Sequence, residues 1–204
     1  MSRNKIGDTE TNFDIRTIDS GISIGEYRAL PRHPLILVLD NLRSAFNVGA
    51  LFRLADCLRL EAIFLCGCTA CPPNPKLLKT SMGTIDFVEW RYFSTTIEAV
   101  AELRSRRVMV WAAETVEGAI SYEQAQIPDH LALILGNEAL GVDSELLPLC
   151  DAIVEIPVYG LKNSLNVAQS CAVLGYHVVG RMQANKKAPE QSVQELLRSK
   201  EIRG

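Results

Sequence analysis

The sequence of 204 residues predicts an α/β fold in which one parallel sheet is covered by helices on both faces. Two features lead to this prediction. Short, unbroken apolar runs recur along the chain, and such runs are typical of parallel strands that are buried on both faces. Segments with apolar residues at helical spacing lie between or after these runs, which is the alternation expected of a doubly wound sheet.

The predicted elements follow one another from residue 35 to residue 179. Five apolar runs predict strands, over residues 35–39, 62–65, 108–112, 131–135 and 153–156. Helical spacing predicts helices over residues 48–58, 95–106 and 165–179. The last of these is apolar on most sides, so we expect it to be deeply packed or to form a dimer interface. We divide the chain into an N-terminal extension (1–33), one folded domain (34–182) and a charged C-terminal tail (183–204), in which residues 193–197 suit a short amphipathic helix.

Composition and charge restrict the possible function classes. Hydrophobic residues make up 48% of the chain and charged residues 22%, as in ordinary globular proteins. No apolar run is long enough to span a bilayer and no secretory signal follows the polar N-terminus, so we expect a cytoplasmic protein without membrane contact. The net charge of −3 gives no overall attraction to nucleic acid, although phosphate contacts need only local positive charge.

The six cysteines are expected to be free thiols in such a protein. Cys66, Cys68 and Cys71 lie close together, but they lack the paired spacing of a zinc site and no histidine is near them. We therefore expect no metal.

Polar residues follow three of the predicted strands, where a doubly wound fold binds its ligands. The first group contains Asn47, Gly49 and Arg53 near the start of a predicted helix. Asn47 is a suitable N-cap, and Gly49 allows another group to approach the first turn closely. Arg53 shares a helix face with Gly49 and points away from the apolar face, so it suits a phosphate or ribose oxygen, although an isolated arginine is more often solvated or paired.

The second group, Leu135-Gly136-Asn137-Glu138-Ala-Leu-Gly141, follows a buried strand directly. Its glycines let the backbone turn tightly beside a ligand. Glu138 either caps a following helix or orients Arg53. The third group runs from Ile156-Pro157 to Ser164-Leu165-Asn166, and it offers free N–H donors at a helix start. Simple capping of the last helix by Asn163 or Ser164 explains this group equally well.

Together, these three groups resemble the SpoU/TrmH family of the SPOUT superfamily. The family pattern reads Asn-x-Gly-x-x-x-Arg, then Leu-Gly-x-Glu-x-x-Gly, then Ile-Pro followed by Ser-Leu-Asn, and all three occur here in order. Residues 79–83 also resemble a small-residue turn of the family, and the match covers about residues 34–180. The resemblance implies a C-terminal trefoil knot, which is an exception to the usual absence of knots, and a homodimer.

The resemblance further implies methyl transfer from S-adenosylmethionine to a ribose 2′-hydroxyl of RNA. Gly136, Ile156 and Leu165 are the implied cofactor contacts, with Ala113 a weaker one. Five residues are the implied catalytic set. Arg53 would hold the 2′-hydroxyl and stabilise oxyanion character rather than accept a proton, since a guanidinium rarely gives up its own. Asn47 would hold the reacting segment, Glu138 would orient Arg53, and Ser164 and Asn166 would shape the pocket.

The substrate and two other functions stay open at this point. With only 33 residues before the domain, no separate RNA-binding domain is expected there, and this favours tRNA as substrate, with rRNA next. The flanking basic residues that could hold RNA are Arg28, Arg32, Arg181, Lys186 and Lys187. A non-catalytic RNA-binding relative and a base methyltransferase are the alternatives. A dehydrogenase is disfavoured because no Gly-x-Gly-x-x-Gly turn follows the first strand.

Overall fold

The computed structural model describes residues 23–185 and the backbone of two short strands, β1 (Lys5–Ile6) and β2 (Thr9–Glu10). The chain divides into two compact units. The first comprises Met1–Pro31 and Glu190–Gly204, and the second comprises Arg32–Pro189. In the first unit β1 and β2 pair antiparallel, and helix α1 (Ile24–Ala29) begins with a capping box formed by Ser23 and Glu26. The predicted helix at 193–197 and the predicted RNA contacts Lys186 and Lys187 lie outside the described residues.

The second unit contains the predicted parallel sheet. Its seven strands are all parallel, in the spatial order β5-β4-β3-β8-β6-β9-β7. They are β3 (His33–Asp40), β4 (Leu60–Cys66), β5 (Trp90–Phe93), β6 (Met109–Ala113), β7 (Ile120–Ser121), β8 (Leu131–Leu135) and β9 (Ala152–Glu155). The five predicted strands correspond to β3, β4, β6, β8 and β9. The sequence prediction missed β5 and β7, the two edge strands.

Helices cover both faces of this sheet, as predicted. Helices α2 (Ala45–Cys57) and α5 (Val167–Asn185) pack on one face, where Leu37, Leu51 and Leu174 belong to one buried cluster. Helix α4 (Thr96–Ser105) packs on the other face, where Leu103 and Ile36 belong to a second buried cluster. In the described part of the chain, no helix combines the length and the apolar character needed to cross a membrane.

Two α-helices were not predicted, α1 in the first unit and α3 in the second. Helix α3 (Pro75–Ser81) begins at a side-chain cap from Asn74 and ends at Met82 and Gly83, which both have left-handed backbone conformations. The predicted turn at 79–83 is therefore the last part of this helix and its end. Since Pro75 lies in the first turn, where its missing N–H costs nothing, the proline-rich segment before it does not prevent the helix.

Candidate active site

A cavity of about 620 Å³ lies at the carboxyl ends of β6, β8 and β9. This volume is within the range of roughly 300–1,000 Å³ that is usual for small-molecule sites. Its walls are the segments 113–115, 135–141, 154–156 and 163–167, with Val158, Ser170 and Leu174. All four residues predicted to contact a cofactor, Gly136, Ile156, Leu165 and Ala113, line it. Glu138, Ser164 and Asn166 line it too, whereas Asn47 and Arg53 do not.

Gly136 has no room for a side chain. A Cβ at this position would lie 2.1 Å from the backbone N of Val142 and 2.2 Å from the carbonyl carbon of Gly141. The chain from 136 to 142 therefore folds back tightly on itself beside the cavity. Glu114 holds this return, because its Oε2 accepts a hydrogen bond of 2.8 Å from the N–H of Val142.

Asn137 fixes the same loop from inside. Its Oδ1 accepts hydrogen bonds from the N–H groups of Ala139 (2.9 Å) and Leu140 (3.2 Å). Its Nδ2 donates to the carbonyl oxygen of Asn41 (2.7 Å), in the loop that follows β3. Because these bonds join the loop after β8 to the loop after β3, the cavity wall has a defined backbone position before any ligand binds.

A chain of three side chains connects the three sequence motifs. The carboxylate of Glu138 accepts from the N–H of Arg43 (2.9 Å), the N–H of Ser44 (3.1 Å) and Nδ2 of Asn47 (2.9 Å). Oδ1 of Asn47 in turn accepts from Nδ2 of Asn166 (3.1 Å). Residues that are 91 and 119 positions apart in the sequence thus share one hydrogen-bond network at the edge of the cavity.

Glu138 is held in its ionised form. Glu138 is exposed, but the loss of part of its hydration opposes ionisation. The hydrogen bonds from Asn47 and from the N–H groups of Arg43 and Ser44 outweigh this and lower its pKa below the ordinary value. At neutral pH Glu138 is therefore a carboxylate that only accepts hydrogen bonds, which is what its three donors require.

The predicted contact between Glu138 and Arg53 is not made. Glu138 binds the first turn of α2, whereas Arg53 lies two turns further along, about 9 Å from Asn47 along the helix axis. The predicted orientation of Arg53 is correct, since Arg53 is exposed while Leu51 and Leu58 are buried. Among the described residues, its guanidinium has no hydrogen-bond or ion-pair partner.

One predicted helix cap and two alternative capping interpretations are wrong. Ser44 caps α2, since its extended backbone lets its side chain accept from the N–H of Asn47, which lies inside the first turn. Asn166 caps α5 by accepting from the N–H of Ala168 (2.9 Å), so neither Asn163 nor Ser164 does so and the helix begins after Leu165. Glu138 does not cap a following helix, because Asn137 and Gly141 form a bridge across a turn instead.

The neighbour that Gly49 accommodates is α3. A Cβ at Gly49 would lie 2.0 Å from Oγ1 of Thr80, and this hydroxyl donates to the carbonyl oxygen of Ala45 at 3.3 Å.

The sequence analysis missed Glu114, which supports the cavity wall. Glu114 directly follows β6, so the rule that polar residues after strands mark a site would have found it.

The cysteines take no visible part in this site. All six are free thiols. Burial raises the pKa of Cys66 to about 12, and it also raises the pKa of Cys171. Buried thiols of this kind are poorly reactive. Across residues 23–185, no group of three or more His, Cys, Asp or Glu side chains is arranged to hold a metal ion.

Comparison with known proteins identifies the family. A family model described as the SpoU rRNA Methylase family matches residues 34–176. The chain belongs to this family. This chain is 35% identical over 148 residues to a relative from Bacillus subtilis (strain 168), the 23S rRNA (guanosine(2553)-2'-O)-methyltransferase RlmP. That match covers 71% of this chain and 58% of the relative, so the chain spans less than two thirds of the relative's length.

Two solved structures share the fold of this SpoU-family chain. One, described as giving structural insights into the 2-OH methylation of C/U34 on tRNA, is 25% identical with a TM-score of 0.68, over 76% of this chain and 99% of that chain. The other, the SpoU methyltransferase AviRb from Streptomyces viridochromogenes in complex with the cofactor AdoMet, is 22% identical with a TM-score of 0.70. It covers 79% of this chain and 62% of that chain.

Proposed function

We propose that this chain transfers a methyl group from S-adenosylmethionine to a ribose 2′-hydroxyl of RNA. The observation that carries the proposal is the network of Glu138, Asn47 and Asn166, which joins all three family motifs at the edge of one cavity. A helix cap alone would not require Asn166 to bond a residue on another helix. The network therefore supports a built site rather than three independent caps.

The cavity fits S-adenosylmethionine chemically. Leu135, Ile156, Leu165 and Leu174 offer apolar surface for an adenine ring, while the backbone of the loop at Gly136 offers polar groups to the ribose and amino-acid parts. When bound, the cofactor supplies a methyl group made electrophilic by the sulfonium charge. Ala113, Gly136, Ile156 and Leu165 would hold it. The C-terminal trefoil knot that the family resemblance implies also belongs to this proposal.

The remaining residues would act on the RNA. Arg53 would hold the target ribose and stabilise negative charge on its 2′-oxygen, since its exposed guanidinium lacks a partner among the described residues. Asn47 would position the RNA segment from the first turn of α2, with Glu138 fixing its amide. Ser164 and Asn166 would shape the other side of the pocket, and the proton would leave to water or to an RNA phosphate.

We propose that the chain works as a homodimer. Helix α5 buries Leu174 and Val178 against the sheet but leaves Val173 and Tyr176 exposed on its other side. An apolar helix face of this kind needs a cover, and a second copy of the chain would supply it.

The RNA substrate has two candidates. tRNA is our first proposal, because the structure that is 25% identical to this chain is described as concerning the 2-OH methylation of C/U34 on tRNA. rRNA is the second, and one observation favours it, namely that the relative with 35% identity is described as a 23S rRNA methyltransferase.

One labelling experiment tests the function. The protein is incubated with radiolabelled S-adenosylmethionine and unmodified tRNA or rRNA, and the labelled RNA is hydrolysed in alkali. We expect label in alkali-resistant dinucleotides, because a 2′-O-methyl group removes the hydroxyl needed for cleavage. Label in mononucleotides would indicate a base methyltransferase instead, and cofactor binding without any labelled RNA would indicate a non-catalytic relative.

The Arg53→Ala variant tests the catalytic assignment in the same assay. We expect kcat to fall by about 100-fold or more, the usual effect of removing an oxyanion donor. Arg107→Asn is the matched control. Arg107 is also exposed, but it precedes β6 at the opposite end of the sheet, and asparagine tolerates its left-handed backbone. Full activity in Arg53→Ala would refute the assignment of Arg53 and leave the enzyme class intact.

A further inference from the structure

Two groups of cationic side chains differ in their electrostatic environment. Arg32, Arg91, Arg104 and Arg106 each pair with a carboxylate, on Glu89, Glu102, Asp151 and Glu61 respectively. By contrast, Arg43, Arg53, Lys76 and Lys79 are exposed, and their side chains have no ion-pair or hydrogen-bond partner among the described residues. We refer to these last four residues as the basic face.

The basic face lies on elements that pack together. Helix α3 contacts the first two turns of α2 through Thr80, whose hydroxyl lies against Ala45 and Gly49. Lys76 is four residues before Thr80, so it lies on the side of α3 that is next to α2, and Lys79 is its neighbour on the helix surface at a spacing of three residues. Arg53 follows Gly49 by one turn on α2, and Arg43 lies in the loop before it.

Local charge at this face is opposite to the charge of the whole chain. Residues 41–57 and 71–82 contain four basic residues and one acidic residue, which gives a local net charge of +3. The chain as a whole carries −3. Unpaired cations have their full field available to a ligand, whereas an arginine already bonded to a carboxylate contributes little.

An exposed aromatic ring lies among these cations. Phe46 is 60% exposed in the first turn of α2, and it precedes Arg53 by seven residues, so the two share one helix face. Cations that follow a phosphate backbone, combined with aromatic rings on which bases stack, are what proteins use to bind single-stranded RNA.

We infer that the basic face is the surface on which the substrate RNA docks, with Lys76 and Lys79 of α3 binding phosphates next to the target nucleotide and Phe46 stacking on an adjacent unpaired base. The inference rests on the proposed function, because it extends the RNA site from Arg53 onto α3. It also implies that the target nucleotide lies in a loop or a single strand, since a paired base cannot stack on Phe46.

The test uses a Lys76→Ala/Lys79→Ala variant and measures binding of a fluorescein-labelled single-stranded RNA by anisotropy over a series of KCl concentrations. Each lost phosphate contact lowers the slope of log K against log salt by about 0.7 for single strands, so we expect the magnitude of the slope to fall by about 1.4. The KM for RNA should rise while kcat and the affinity for S-adenosylmethionine stay unchanged. Arg107→Asn also removes a cation that has no side-chain partner among the described residues, and it should leave all of these values unchanged.

Several results would overturn the inference. One is an unchanged salt slope and RNA KM in the double-lysine variant. Another is a change in oligomeric state measured by light scattering, which would assign the basic face to contacts between copies of the chain. Phe46→Ala with unchanged RNA affinity would remove the stacking part. Failure of the proposed function looks different, since the wild-type protein would then label no RNA or place the label in mononucleotides. Here it places the label in alkali-resistant dinucleotides, and only the assignment of the surface fails.

Discussion

Replacement of Glu138 by Gln tests whether an ionised carboxylate holds the three motifs together. Oε1 of Glu138 accepts from Ser44 and Asn47, and Oε2 accepts from Arg43. A glutamine side chain has the same shape but only one oxygen. If that oxygen takes the place of Oε1, the amide NH₂ group faces the N–H of Arg43, and one hydrogen bond is replaced by two opposed donors.

The expected loss of stability is modest. A hydrogen bond to a charged group contributes about 1.5–3 kcal/mol to stability when it is protected from water. Glu138 is exposed, so water can replace part of the lost bond, and we expect the free energy of unfolding to fall by about 1 kcal/mol at neutral pH. For a protein of this size, such a loss lowers Tm by about 2–4 °C.

The pH dependence identifies the carboxylate as the cause. Because folding lowers the pKa of Glu138, its stabilising effect is complete above the pKa of an unfolded glutamate, about 4.3, and is lost as the pH falls through the lower folded value. The difference in Tm between wild type and Glu138→Gln should therefore be constant from neutral pH down to about pH 5 and should shrink in more acidic buffers.

Scanning calorimetry at several pH values measures this difference. Glu145→Gln is the control, since Glu145 is exposed and its carboxylate accepts no hydrogen bond from the residues that the structure describes. The reasoning is refuted if Glu138→Gln melts with the wild type at neutral pH. It is also refuted if the difference in Tm persists unchanged where Glu138 is protonated.

Two further predictions concern the cavity wall and α5. Gly136→Ala should destabilise the protein by about 1–3 kcal/mol, because its methyl group would overlap the backbone at Val142. Calorimetry should also show that S-adenosylmethionine binds at least about tenfold more weakly. Normal binding would exclude this loop from the cofactor site. Asn166→Asp keeps the acceptor that caps α5 but cannot donate to Asn47, so kcat should fall with little change in Tm. Asn166→Ala should lower both, by about 1 kcal/mol in stability, and an unchanged kcat in Asn166→Asp would reduce Asn166 to a simple cap.

The buried centre of the sheet was the most predictable part of the fold. Strand β8 (Leu131–Leu135) is apolar at every position and fully buried, so its sequence alone marks both of its ends. Edge strand β5 gave no such signal, because Arg91 and Tyr92 are exposed and break the apolar run. Two-residue β7 is too short for any periodicity. These strands depend on pairing with a neighbour, which is a tertiary property.

The sequence predicted most of the residues that form the site, but not the hydrogen bonds between them. Seven of the nine predicted site residues line the cavity, because motif order and the ends of parallel strands place them there. The prediction that Glu138 orients Arg53 failed because the length of α2 separates them, and only the folded chain shows that the start of that helix reaches Glu138 first. Hydrogen bonds between residues about a hundred positions apart leave no local pattern in one sequence.

The net charge of −3 and an RNA substrate are compatible once the pairing of each cation is known. A formal charge counts Arg104 and Arg53 equally, yet Arg104 pairs with Asp151 and Arg53 has no partner among the residues described by the structure. Phosphate binding depends on cations that have no carboxylate partner, such as Arg53. A paired arginine would first have to lose its carboxylate, which would cancel much of the free energy gained from the phosphate. The acidic residues are therefore no obstacle where they neutralise arginines elsewhere on the surface, and RNA affinity should follow the four residues of the basic face rather than the isoelectric point.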